Sequence, residues 1–231
     1  MAKPQYFLIV DTETTIQDTV FDFAAVLVNR RGDIVKQCAV IVRESLNTEL
    51  FFDKTADSHF SQKSLTRRHD NYNRMLDNGS RIIASVAAIN RWLERVNAEY
   101  KPELTAYNLA FDLTKSRNTG IDLDIFAKRF CLWQLAVGHF AKTHKYRRFV
   151  LQNHLFNTPT KHGNMTYKTN AEVMSSFVCG EMLPPEPHTA LEDIIHYELP
   201  ILVAIAKRDN WRERATNYDW QQFQVKDNFG V

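Results

Sequence analysis

The rhythm of hydrophobic and polar positions changes several times along the chain, and each change marks an element. Gln5–Val10 ("QYFLIV") is a short unbroken apolar run, the pattern of a strand buried on both faces. Two further apolar runs, Phe21–Val28 and Ile34–Val42, flank a turn containing Gly32 and predict the next two strands of an antiparallel meander. From Arg43 to Ser80 the chain is polar and weakly periodic. Within that stretch "SQKSLTRRHDNYNRML" predicts a surface excursion with a short helix, basic enough to touch a substrate backbone. A helical period returns from Arg81 to Tyr100. There Ile82, Ile83, Val86, Ile89, Leu93 and Val96 form one apolar stripe, with Arg91, Glu94 and Arg95 largely off it.

In the second half, "ELTAYN" (Glu103–Asn108) predicts a short strand that leads directly into a helix start at "LAFDLTKS". Phe126–Phe140 is apolar enough for a strand running on into a helix. Thr169–Asn170 opens another helix, with Glu172 three residues after Thr169 as in a capping box. Pro184, Pro185 and Pro187 interrupt the chain, and a last helix runs from about Thr189 to Arg208, kinked at Pro200. Three strands followed by alternating helices and strands predict an α/β domain with a mixed central sheet flanked by helices. That domain spans residues 1–210, leaving 211–231 as a tail that packs back or binds a partner.

Composition narrows this picture. A chain of 231 residues that is 44% hydrophobic and 12% aromatic can fill a sizeable core, which excludes wholesale disorder. No apolar run approaches the roughly 20 residues needed to cross a bilayer, and the first residues lack signal-peptide organisation. Cys38, Cys131 and Cys179 are far apart and form no CxxC pair, against a disulfide framework or a zinc site. The expected location is the reducing cytoplasm. The net charge of +2 says little as a sum. Its distribution says more: between Asp124 and Glu172 there is no acidic residue, while Lys128, Arg129, Lys142, Lys145, Arg147, Arg148, Lys161 and Lys168 all fall there. Such a run suits a phosphodiester substrate and equally suits an ordinary solvated face.

The candidate chemistry is carboxylate. In "IVDTETT", Asp11 and Glu13 leave the first strand two residues apart, so period-two geometry points both to one face. Adjacent carboxylates repel unless a cation sits between them, and oxygen ligands suit Mg²⁺ or Mn²⁺. A lone D-x-E arises about once by chance in a chain this long, so its place at a strand exit is what counts. Asp112 lies in the first turn of a helix, where the macrodipole favours an acid whatever its function. In "EPHTALEDIIHYE" (Glu186–Glu198), Thr189 and Glu192 fit a capping box. With Thr189 as the cap, His188 lies outside the helix, free to swing over a site that Asp193 helps to build. A surface histidine is the plainer account of His188 alone.

Taken together, "VDTET", "NLAFD" and "HTALED" resemble, in this order, the three motifs of the DEDDh 3′→5′ exonucleases, a family that includes polymerase proofreading subunits, RNase T and oligoribonuclease. The resemblance spans Val10 to Asp193 and implies a ribonuclease H-like fold. It further implies that Asp11, Glu13, Asp112 and Asp193 bind two divalent metal ions, Mg²⁺ or Mn²⁺, and that His188 is the general base. Thr12, Thr14 and Asn108 would line the pocket for the terminal nucleotide, with Phe111 either there or in the core. Lys145, Arg147 and Arg148 would hold the incoming strand, with Tyr146 and Phe149 available to stack on bases. Where relatives often carry Gly after "DTETT", this chain has Ile16. The implied activity is hydrolysis of single-stranded DNA from its 3′ end. RNA is the alternative substrate, and a catalytically silent nucleic-acid-binding or polymerase-accessory module is the alternative of a different class. Because the chain has no polymerase domain, proofreading would need a separate DNA polymerase or replication partner. "QVKDNF" loosely resembles peptides that bind sliding clamps.

Overall fold

Alternation along β1 (Tyr6–Thr14) builds both faces of the molecule at once. In the computed structural model, which describes residues 5–50, 62–159 and 163–225, this strand runs beyond its apolar stretch and carries the whole of "DTET". Phe7 and Ile9 enter one core beside Ala24, Val26 and Val28 of β2 (Val20–Asn29). Leu8 and Val10 enter the other beside Phe23, Ala25 and Leu27. β3 (Ile34–Val42) completes the antiparallel meander.

The protein is α/β, with a mixed six-stranded sheet ordered β4-β3-β2-β1-β5-β6. β4 (Ile82–Ala84) joins β3 in parallel, β5 (Glu103–Ala106) joins β1 in parallel, and β6 (Arg129–Cys131) joins β5 in parallel. α1 (Gln62–Asp77) is longer than the short helix expected in the polar stretch. α2 (Val86–Tyr100) and α3 (Leu109–Thr119) cover one face, burying Ile89, Leu93, Val96 and Leu109. The other face is covered by α4 (Leu132–Ala136), α5 (His144–Gln152), α6 (Ala171–Cys179), α7 (Ala190–Asp193) and α8 (Leu199–Ala206). No described helix is long and apolar enough to cross a membrane.

Local chemistry explains where the elements depart from their predicted bounds. The stripe expected to begin at Arg81 loses its first members, because Ile82 and Ile83 pair with Val40 and Ile41 at the sheet edge and remain 60% and 41% exposed. Helix α2 starts only after Ser85, whose hydroxyl accepts the Ala88 N–H. The capping box at Thr169 does not form: Asn170 is the N-cap of α6, and the Thr169 hydroxyl accepts from the Trp133 indole N–H instead. The single helix expected from Thr189 to Arg208 is interrupted by a π-helical turn, Ile194–Glu198, and Pro200 falls in the first turn of α8, where proline is tolerated. Proline cannot bond back to the His196 carbonyl, which accepts from the Ser175 hydroxyl at 3.3 Å.

The segment after α8 packs back on the domain as far as it is described. Trp211 meets Phe7 and Phe130 edge-on, and Tyr218 stacks between Trp133 and Phe223. The Thr216 N–H donates to the Gln134 carbonyl and the Tyr167 N–H to that of Phe223. This approach is close: a Cβ on Gly138 would stand 1.6 Å from the Arg214 carbonyl oxygen. Lys161, and "QVKDNF" from Lys226 onward, lie outside the described residues.

Candidate functional site

The β1–β2 ladder sets the geometry of the site. Asp11 and Glu13 share the face that packs against α7, as period two requires, and Glu13 stands opposite Asp22 of β2. β5 pairs in parallel with β1, so α3 begins beside the same strand end. There Asp112 is buried and accepts a hydrogen bond from the Thr12 hydroxyl at 2.9 Å. The chain returns a third time at α7, bringing Asp193. Donor atoms of Glu13, His188 and Asp193 lie within 4.8 Å of one another. His188 is exposed and its backbone is left-handed, with φ +54°, a conformation uncommon for a residue with a side chain.

Electrostatics sets these acids apart. Burial pushes Asp11 well above the usual carboxylate range, and Glu198, Asp112, Glu13 and Asp193 all push it the same way. Asp112 is pushed up to about 7 by burial, which outweighs the Thr12 hydrogen bond. Asp193 is pushed up to about 9 by burial and then by Glu13 and Glu186. Glu198, in the π turn, is buried and raised by its surroundings and by Asp112. It accepts one hydrogen bond, from the Tyr107 N–H at 3.3 Å, and its other oxygen has no partner. Glu186, on the proline-rich loop, is pushed up to about 7 by burial and Glu172. Sequence reasoning missed Glu198 and Glu186 as members of the cluster. Both stand at the ends of "EPHTALEDIIHYE", where nothing in the spacing marks either as a partner of Asp193.

A second, fully paired network holds the entrance of α7. Arg81 is buried, donating to both oxygens of Asp22 at 3.0 and 3.3 Å and to both oxygens of Glu192 at 3.3 and 2.5 Å. Asp22 also accepts the Ala190 N–H at 3.0 Å. The helix is therefore capped by an aspartate from β2, and the capping box expected from Thr189 and Glu192 is not made. Thr189 does occupy the N-cap, but its hydroxyl does not cap, and Glu192 turns to the guanidinium. Burial raises Asp22 even against Arg81, whereas in Glu192 the Arg81 hydrogen bonds outweigh burial and lower it.

The residues expected to contact substrate are more dispersed. Thr12 and Thr14 are buried, and the Thr12 hydroxyl is committed to Asp112. Asn108 is the exposed N-cap of α3. Phe111 is 39% exposed beneath the Lys115 ammonium, so it is not core. Lys145 and Arg148 are exposed on α5, and Arg147 donates to the Gln222 carbonyl. The charges that dominate around Asp11, Asp112, Asp193 and Glu198 are other carboxylates, with none of these three cations among them. Tyr146 is fully buried, with its hydroxyl donating to the Lys168 carbonyl, so it cannot stack on a base. Phe149 packs on Phe177.

The donor set fits a hard divalent cation. It is oxygen-rich, and it includes the orphaned, buried Oδ1 of Asp193 and Oε2 of Glu198. No family model, no curated protein and no solved structure matches the chain.

Proposed function

We propose that this protein is a metal-dependent 3′→5′ exonuclease of the DEDDh type, with a ribonuclease H-like fold, acting on the 3′ end of single-stranded DNA. One observation carries the proposal. Asp11, Glu13, Asp112 and Asp193, drawn from three distant stretches of chain, converge as mutually repelling carboxylates with His188 beside two of them. The antiparallel meander extended in parallel by β5 and β6 is compatible with that fold.

Asp11, Glu13, Asp112 and Asp193 would hold two divalent ions, Mg²⁺ or Mn²⁺. When bound, these ions neutralise the carboxylates and promote attack of water on the terminal phosphodiester. The protein supplies the rest. The Thr12 hydroxyl fixes one oxygen of Asp112. The Tyr107 N–H fixes one oxygen of Glu198. His188 accepts the proton of the attacking water, since its ring nitrogen and the nearby carboxylate oxygens are close enough for one water to touch both. The left-handed backbone at His188 sets the direction of that ring relative to α7.

End-labelled DNA and RNA oligonucleotides incubated with Mg²⁺ or Mn²⁺ test this directly. A stepwise ladder from the 3′ end, abolished by Asp11→Ala, is expected, with DNA cleaved faster than RNA. Binding without cleavage in either metal would refute the enzymatic assignment, and faster cleavage of RNA would refute the choice of sugar.

A further inference from the structure

A cleft of about 360 Å³ opens between the starts of α3 and α6, lined by Tyr107, Asn108, Trp133, Asn157, Thr169, Asn170 and Tyr218. Its volume is that of a small-ligand site. No charged residue lines it, which makes it a poor home for a metal or a bare phosphate. Three aromatic rings and three side-chain amides do line it, and that pairing suits a flat, neutral group with hydrogen-bonding edges.

The polar heads of two rings are already occupied. The Tyr107 hydroxyl donates to the Thr169 carbonyl at 2.5 Å, and the Trp133 indole N–H donates to the Thr169 hydroxyl at 3.1 Å. Both rings are thereby fixed, and what they offer the cleft is ring surface. Tyr218 lies against Trp133 at 5.3 Å and against Phe223 at 4.9 Å, so its ring is ordered before any ligand arrives. The asparagines are the complementary half. Asn108 and Asn170 are the N-caps of α3 and α6, positions where asparagine usually bonds the helix backbone, yet neither side chain caps its helix. Each amide keeps a donor and an acceptor for the edge of a base.

The cleft is joined to the carboxylates by the β5–α3 junction. Tyr107 lines it with its side chain while its backbone N–H holds Glu198, and Asn108 precedes Asp112 by one helical turn. We propose that this cleft is a nucleobase subsite, holding one unpaired base of the strand whose 3′ end reaches the carboxylates. The assignment rests on the exonuclease proposal for the strand's direction, and on the cleft alone for the base.

The test uses the full chain in EDTA, where binding is read without cleavage, by fluorescence anisotropy of a short labelled oligothymidylate. Tyr218→Leu, which removes the ring that backs Trp133 and so loosens the stacking surface Trp133 offers, is expected to weaken binding about tenfold, the size of one lost base–aromatic stack. Asn170→Ala, an exposed change that leaves the core alone, should weaken it by a smaller factor. A single abasic nucleotide walked along the strand should reproduce the Tyr218→Leu loss at one position only, and the two losses should not add there. Wild-type affinity in both variants, equal losses at every abasic position, or no binding at all would overturn the subsite. Thymidine monophosphate binding as tightly as the strand, with the same dependence on Tyr218, would overturn its assignment to a strand. A parallel digestion with Mn²⁺ separates the two proposals. Coupling without cleavage defeats the exonuclease and leaves the subsite standing, and cleavage without coupling does the reverse.

Discussion

Glu13 and Asp22 face each other across one rung of the β1–β2 ladder, yet they belong to opposite kinds of environment. Asp22 is buried with a guanidinium on both oxygens and a helix N–H besides. Glu13 stands beside Asp11 and Asp193, and it adds to a set in which the relief that Asp11, Asp112, Asp193 and Glu198 receive comes from hydrogen bonds at most. The protein thus places an arginine where a buried carboxylate fastens a helix to a strand, whereas among the described residues no arginine relieves Asp11, Asp112, Asp193 or Glu198. Keeping the second set ionised in the folded state is costly unless a cation comes between the carboxylates.

Removing the arginine should erase the difference, with the largest effect. Arg81→Met leaves Asp22 buried and unpaired and is expected to cost about 3–5 kcal/mol in urea unfolding. An unchanged midpoint would mean that the paired network does not hold α7. The unpaired set should respond to pH and metal instead. Asp112 and Asp193, raised to about 7 and 9, hold protons in the folded state that the unfolded chain has released above about 4. The folded state binds more protons across that window, so stability falls as pH rises. In EDTA the melting temperature should decline from pH 5 to pH 9. Mn²⁺ at about a hundredfold over its Kd should restore about 2.7 kcal/mol at pH 8 and much less at pH 5. A flat profile in EDTA would remove the contrast between the two environments.

Asp193→Asn sharpens the comparison by moving two readouts in opposite directions. The metal-free variant should melt higher than the parent at pH 8, because one repelling charge is gone, while the Mn²⁺ increment and cleavage both shrink. If both readouts fell together, Asp193 would be a structural acid like Asp22. The smallest effect is expected from Glu192→Gln. It weakens one side of the Arg81 network at a partly exposed carboxylate and should cost about 1 kcal/mol.

Much of this arrangement was legible in the residues themselves. Period two put Asp11 and Glu13 on one face because the β1–β2 ladder is regular up to Glu13. The helix start at "LAFD" and the proline break before "HTALED" announced where Asp112 and Asp193 would stand. Other features depend on distant partners and leave no local trace. Arg81 reads as the first residue of a helical stripe, and only the pairing of β3 with β4 buries it beside Asp22. Glu192 matches a capping box in spacing, but a buried guanidinium is the stronger partner for its charge. Tyr146 sits in a basic run and looks available for stacking, whereas its helical neighbours turn it into the core beside Phe177. Glu198 is silent for a similar reason, since the π turn ahead of Pro200 rotates it toward Asp11.

The hydrogen bonds that frame the carboxylates span large loops of chain: 100 residues from Thr12 to Asp112, and 168 from Asp22 to Ala190. Contacts of such separation are slow to form, because loop closure must come before they stabilise anything. The repulsion that Asp193 and Glu198 add to Asp11, Glu13 and Asp112 is therefore absent while the meander and the core under α2 and α3 assemble, and is met only when α7 docks. A chain halted before residue 190 would already hold its meander and most of one core, yet could not assemble the site.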